Sequence, residues 1–322
     1  MQTERSREAR VLSLGAVAMD VVLASSGLPE DDGFSLVADE VLVPGGSASN
    51  VSVALHRLGV PVWQAGKIGD DHYGVLFRED LIQNGIHVEP LAVKPGGTTL
   101  HTYIITAPGG KHCIFANKGD CVFDLRPEEL AGDVLDGFAC FYNDLFSPLA
   151  ALWLADQARE RGIPVVYNMQ CTPNFMESCG VSRDQIQEML SKAALVIGGA
   201  DGFGEIVEAS CPEEAARAVY QQFQPSDGVI CTCGAQGAVW YGPEGLTRSP
   251  AFPVAAVDST GAGDTFCAGL IFARFCCKEE NRRTALRFAS AAAALKCTAP
   301  GPRSTADLEA VIDFLRRNET DG

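Results

Sequence analysis

Asp264 directly follows a Gly-Ala-Gly turn, and that juxtaposition could do chemistry on a phosphate. The string Val257-Asp258-Ser259-Thr260-Gly261-Ala262-Gly263-Asp264-Thr265-Phe266 joins residues 251–257, which read as a strand with a proline inside, to residues 264–275. The latter read as a helix, with apolar side chains at Phe266, Leu270, Ile271 and Phe275. Two glycines one residue apart let the backbone turn tightly and bring the N–H groups of Gly261, Ala262 and Gly263 close to a guest. Those groups open a helix and carry the positive end of its dipole, so the turn is a ready anion site. A carboxylate beside it would repel a bound phosphate, but could take the proton of a hydroxyl attacking that phosphate. The plainer alternative is a strand-to-helix turn in which Asp264 is only a first-turn carboxylate.

Two more places offer groups to a ligand. Pro44-Gly45-Gly46-Ser47-Ala48-Ser49-Asn50 precedes a helix with apolar Val51, Val53, Ala54, Leu55 and Leu58, closed by Gly59. Paired glycines admit a ligand close to the backbone, and Asn50 offers both a donor and an acceptor to a hydroxyl. The alternative is a plain helix start capped by Ser47. Residues 10–17 read as a buried first strand ending near Asp20, and open α/β sheets bind ligands just past strand ends. Alone, Asp20 reads equally as a loop aspartate.

These motifs carry a family resemblance. Residues 258–266 resemble the C-terminal signature of the ribokinase-like (PfkB-type) carbohydrate kinases. Gly45-Gly46 with Asn50, followed by the alanine and Leu58-Gly59, resembles their N-terminal sugar-binding signature. Gly69-Asp70-Asp71-His72-Tyr73-Gly74 and Thr232-Cys233-Gly234-Ala235-Gln236-Gly237 are similar to two softer motifs, the second a loop over the ATP phosphates. The resemblance implies ATP-dependent phosphorylation of a hydroxyl on a sugar or sugar-like molecule. Asp264 would be the base, and the N–H groups of residues 261–263 the anion hole. Asp20, Gly45, Gly46, Asn50 and Asp144, with Asn143 as the alternative to Asp144, would hold the substrate. Thr232, Gly234, Gly237 and Ala292 would lie on the ATP side. Residues 293–298 and Pro300-Gly301-Pro302-Arg303 resemble the adenine-side helix and its following loop. Mg²⁺ would accompany ATP, and a potassium ion would be held near Asp258, Ser259, Thr260, Ala299, Gly301 and Thr305. The chain departs from the pattern after residues 194–197: the family's Asn-x-x-Glu is missing, and Asp201 and Glu205 are the nearest substitutes for the magnesium shell. That departure keeps open a non-catalytic sugar- or nucleotide-binding regulator, and a nucleoside kinase also remains an alternative.

These residues need a scaffold. Residues 61–68 read as a strand, and the turn at 69–74 opens a helix that ends at Asn84-Gly85. Residues 98–106 and 112–116 read as strands around Pro108-Gly109-Gly110, a hairpin signal. With strands at 21–24 and 34–43 they would form a small sheet, which the resemblance makes a lid over the sugar. From residue 138 strands (138–142, 164–168, 194–198, 228–232) alternate with helices (148–161, 183–191, 212–223). A hairpin around 242–245 and helices at 279–298 and 305–317 follow. Apolar strands alternating with amphipathic helices imply a mostly parallel sheet covered on both faces. The expected fold is therefore α/β, a ribokinase-like three-layer α/β/α body with a small β-sheet lid. The body would comprise residues 1–19, 45–97 and 117–322, and the lid 20–44 and 98–116.

Composition narrows the partners. The chain has 322 residues and a net charge of −16, with no lysine or arginine run of the kind that tracks nucleic acid. No apolar run reaches the roughly 18 residues of a membrane span. Residues 1–10 lack a signal-peptide core. The 12 cysteines have no metal-site spacing and fall mostly in apolar segments, as at Cys140, Cys267, Cys276 and Cys297, which implies buried free thiols and a cytoplasmic setting. A homodimer through the lid is the expected assembly.

Overall fold

The computed structural model describes residues 8–318. In chain order its strands are β1 (Val11–Leu14), β2 (Ala18–Ser25), β3 (Val37–Gly45), β4 (Val62–Gly69), β5 (Leu91–Lys94), β6 (His101–Ala107) and β7 (Lys111–Asn117), then β8 (Cys140–Asn143), β9 (Val165–Met169), β10 (Leu195–Gly199), β11 (Gly228–Thr232), β12 (Ala238–Gly242) and β13 (Gly245–Ser249). The helices are α1 (Ser47–Arg57), α2 (His72–Gln83), α3 (Pro148–Glu160), α4 (Pro173–Cys179), α5 (Arg183–Lys192), α6 (Ala200–Gly204), α7 (Pro212–Phe223), α8 (Ala262–Ile271), α9 (Arg282–Cys297) and α10 (Leu308–Arg317).

Two sheets form. The large one runs β13-β12-β11-β10-β9-β8-β1-β4-β5, parallel except at the β11–β12 and β12–β13 pairs. Its central strands β1, β8 and β9 are buried along their whole length. Most of their side chains are apolar, as a sheet covered by helices on both sides requires, and the polar exceptions, Ser13, Asn143 and Asn168, are buried with hydrogen-bond partners. The helices pack in two groups: α1, α8, α9 and α10 in succession, and α3 with α5 and α6 with α7. This is the three-layer arrangement expected. The small sheet runs β3-β2-β6-β7, with β2 and β6 parallel. A turn at Pro108–Gly110, with Gly109 at φ 78°, joins β6 to β7.

Among the described residues, five of the ten helices, α2, α4, α5, α9 and α10, begin with a side-chain cap. Ser182 and Gln185 form a reciprocal capping box on α5, and Asn281 and Asp307 cap α9 and α10. Such caps satisfy N–H groups that have no partner inside the helix. Helices α1 and α8 start on Gly46 and Gly261 with no side-chain cap.

Three expectations are corrected. The first strand stops at Leu14, because the chain leaves the large sheet at Gly15. There a Cβ would lie 1.9 Å from an Asp144 carboxylate oxygen. Asp20 consequently belongs to β2 of the small sheet and not to the end of β1. Residues 251–257 form no strand: Pro250 and Pro253 lack the N–H a ladder needs, and Val257 N instead donates to Cys297 O at 2.7 Å. The helix expected over 264–275 is regular only to Ile271 and continues as a π-helical turn, Phe272–Cys276. Cys140, Cys267 and Cys276 are buried free thiols and Cys297 a half-buried one. No helix among the described residues is long and apolar enough to cross a membrane.

Candidate active site

The N-terminal ends of α1 and α8 meet, and both depend on glycine. Gly46 has φ 89° and Gly261 φ 74°, conformations that side-chain-bearing residues rarely adopt. A Cβ on Gly46 would lie 2.3 Å from Ala16 O, and one on Gly261 would lie 1.8 Å from Pro302 O. Close backbone approach therefore fixes both positions as glycine.

Asp264 stands in the first turn of α8 at this junction. One carboxylate oxygen accepts from Ser47 Oγ at 2.5 Å, and the other accepts from Asn50 Nδ2 at 2.8 Å. Ser47, read as a helix cap, thus serves Asp264 instead. Desolvation pushes the Asp264 pKa above the ordinary carboxylate value, and the two donors pull against that rise. The carboxyl is only part-buried, so one side stays open to an incoming hydroxyl. Within the turn, Ala262 N already donates to Ser259 O at 3.1 Å, while Gly263 is exposed.

The substrate-side candidates converge here. Thr102 Oγ1 donates to Asp20 at 2.5 Å across the parallel β2–β6 pair. Asp20 also overhangs Gly45, whose Cβ would meet its carboxylate at 2.4 Å. Desolvation raises the Asp20 pKa against the Thr102 bond. Asp144 lies beneath, 1% exposed. It accepts from Ala16 N at 2.9 and 3.1 Å, from Phe146 N at 3.1 Å and from Gln170 Nε2 at 3.3 Å. Burial pushes its pKa up to about 7, with the backbone donors opposing and the Asp264 charge adding to the rise. Asn143, the alternative, instead directs its amide to Val166 O within the sheet.

Three of the four ATP-side candidates, Thr232, Gly234 and Gly237, lie at the end of β11. Thr232 Oγ1 donates to Gly198 O at 3.2 Å. Gly234 begins a single helical turn, and Gly237 (φ 97°) has no room for a Cβ beside Ser249 O. Ala292 is 2% exposed, packed in the α8–α9 contact against Gly269, so its methyl does not face a ligand. Asp201 and Glu205 do not converge: Asp201 is exposed on α6, while Glu205 accepts from Asn174 N at 2.7 Å and faces Arg183. No cluster of three or more metal-ligating side chains occurs among the described residues.

Residues 258–261 and 299–303 form paired loops behind the anion turn. Asp258 accepts from Thr260 N at 2.8 Å and from Gly301 N at 2.9 Å. Desolvation raises its pKa, but those donors outweigh it and hold the group below the usual carboxylate value. The potassium expectation meets an obstacle here. Lys296 Nζ donates to Asp258 O at 3.0 Å and to Ala299 O at 3.3 Å, and Thr305 is exposed. Arg303, read as part of the adenine-side loop, turns the other way. It pairs with Asp80 on α2 and reaches Ser49 Oγ at 3.3 Å and Asn50 Oδ1 at 3.4 Å. Ser47, Thr102, Arg303 and Lys296 were thus missed as site residues. Ser47 and Arg303 stood inside quoted motifs and Lys296 inside residues 293–298, but the sequence assigned none of them these partners.

Comparison with known proteins adds an independent line. The model of the pfkB family of carbohydrate kinases matches residues 8–309. An ATP-dependent ribose-1-phosphate kinase of Halopiger xanaduensis is 30% identical over 307 residues, covering 95% of this chain and 98% of its own. The ribokinase of Bacillus subtilis is 27% identical, covering 88% and 90%. Among solved structures, Arabidopsis thaliana ribokinase complexed with ribose and ATP superposes with a TM-score of 0.82 at 21% identity, covering 96% of this chain and 99% of that one.

Proposed function

The chain belongs to the pfkB family of carbohydrate kinases, and from that premise we propose that it transfers the γ-phosphoryl of ATP to a hydroxyl of a sugar or sugar derivative, with Asp264 as the base. The observation that carries this reading is the pair of bonds from Ser47 and Asn50 to Asp264. They fix a carboxylate of raised proton affinity at the open end of an uncapped helix. The substrate hydroxyl gives its proton to Asp264 as its oxygen attacks the γ-phosphorus, and the bond to the β-phosphate oxygen breaks to release ADP. Gly263 N–H and the α8 dipole stabilise the charge on the transferring group, an electrostatic contribution made without reorganisation. Ala262 N–H, shared with Ser259 O, contributes less.

Mg²⁺ would accompany ATP as part of the substrate and would supply neutralisation of phosphate charge; no cluster of three or more metal-ligating side chains occurs among the described residues. Asp20, with its Thr102 partner, and Asn50 hold sugar hydroxyls over Gly45 and Gly46. The segments 20–44 and 98–116 act as a lid that excludes water and restrains wasteful hydrolysis of ATP. The remaining segments, 1–19, 45–97 and 117–322, are the body. The outer lid strand leaves Ile114 and Phe115 56% and 64% exposed, which supports a homodimer through this sheet. Free thiols support a reducing, cytoplasmic setting.

The test is ADP release with MgATP across a panel of ribose, fructose, ribose 1-phosphate and nucleosides, with product identified by mass. Saturable turnover on one sugar is expected. ATP and sugar binding without turnover on any member would favour a regulator, and turnover on nucleosides alone would favour a nucleoside kinase.

A further inference from the structure

Lys296 occupies an unusual place for a lysine. It lies in the last turn of α9 and is 0% exposed. A buried ammonium is tolerated only when its hydrogen-bonding capacity is met. Its partners are the main-chain carbonyls of Asp258 and Ala299, one from each of the paired loops, and no carboxylate pairs with it directly among the described residues. The C-terminal end of α9 favours a cation there. The Asp258 carboxylate stitches the same two loops from its other side, through Thr260 N and Gly301 N. The Pro302 carbonyl of the second loop rests on Gly261, where a Cβ would sit 1.8 Å away. A cation bound between the loops therefore sets the backbone that opens α8.

Potassium was expected among these oxygens, and the residues present do not fit it. Asp258 O and Ala299 O already accept from Lys296. A metal ion sharing them would lie within a few ångströms of an ammonium, an unfavourable like-charge contact. We propose that Lys296 is the built-in cation of this chain: a positioning residue that replaces a monovalent metal and makes turnover independent of one. This rests on the kinase reading for its activity arm alone.

The experiment measures turnover and melting temperature in buffer free of sodium and potassium, with a tetraalkylammonium counter-ion, before and after K⁺ is added at constant ionic strength. Wild type should change in neither. Lys296→Met, which keeps the volume without the charge, should lose about 10²-fold in kcat with little change in KM, the signature of a misaligned reacting group. Lys296→Ala opens space for a small cation, so K⁺ or ammonium should restore at least 10-fold of its lost kcat in a saturable way and raise its melting temperature. A merely structural lysine would show no such rescue. Saturable K⁺ activation of wild type overturns the proposal, and so does a folded Lys296→Ala that neither cation rescues or stabilises. Should Lys296→Ala not fold, a Lys296→Met variant of unchanged kcat overturns it as well. Melting needs no substrate, so a chain that phosphorylates nothing on the panel still answers the cation question.

Discussion

Helices α1 and α8 both start on a positive-φ glycine without a side-chain cap, yet their open ends meet different partners. The α1 end faces a carboxylate of the protein itself: Asp144, held by Ala16 N and also by the Ala48 N–H. The α8 end faces outward, with Gly263 exposed beside Asp264. A helix N-terminus attracts an anion wherever it stands. In α1 the fold has supplied that anion, at the expense of burying it. In α8 Gly263 stays exposed, and the proposed reading gives that place to a ligand. On that reading one element type serves as scaffold in one case and as site in the other, and what stands opposite decides which.

The comparison can be broken most severely at Asp264. Asp264→Asn should lower kcat by about 10²–10⁴-fold, the range for a lost general base, while ATP affinity by titration calorimetry stays within a few-fold. Near-normal turnover would make the α8 end a mere helix start. A second cut goes through Gly261. Gly261→Ala places a methyl against Pro302 O and must push the 299–303 loop or the turn aside, so kcat/KM should drop about 10²-fold. Steady-state kinetics unchanged from wild type would show that the turn is not aimed by that loop.

Asp144 sharpens the other half. Its folded-state pKa of about 7 stands above the ordinary 3.8. Between those values the folded protein holds the extra proton, so stability falls as pH rises from about 4 to about 7, by up to about 1.4 kcal/mol per pH unit. Asp144→Asn should remove that slope, read as the difference between variant and wild type in urea unfolding at pH 5, 6, 7 and 8. A difference independent of pH would mean that the α1 end holds the charged form without strain, and the two helix ends would then be alike.

The sequence announced the pieces better than their orientation. Glycine spacing marked both helix starts, because only glycine combines positive φ with close backbone approach. The βα alternation after residue 138 marked the parallel sheet, since strands buried on both faces are mostly apolar. What escaped was where long side chains go. Arg303 could have leaned toward adenine or toward Asn50, and only the path of the 299–303 loop over Gly261 decides it. Lys296 sits among alanines in a helix and reads as a surface lysine until its ammonium is placed between two loops. Asp20 was found by type, but its strand was not, because the break at Gly15 depends on a carboxylate 129 positions away at Asp144. Ala292 fell in a matching segment, yet a methyl facing Gly269 has no room for a nucleotide.

The bond from Ser47 to Asp264 spans 217 residues, and that separation orders events during synthesis. The strands carrying Asp20 and Thr102 can pair once the first third of the chain has emerged, whereas the carboxylate that would activate a hydroxyl is made far later. Domains generally fold as units as the chain grows, so a nascent chain can possess the small sheet while still lacking Asp264 and Lys296. On the proposed reading the half-made protein would be inert toward ATP until α8 packs against α1 and α9 against α8.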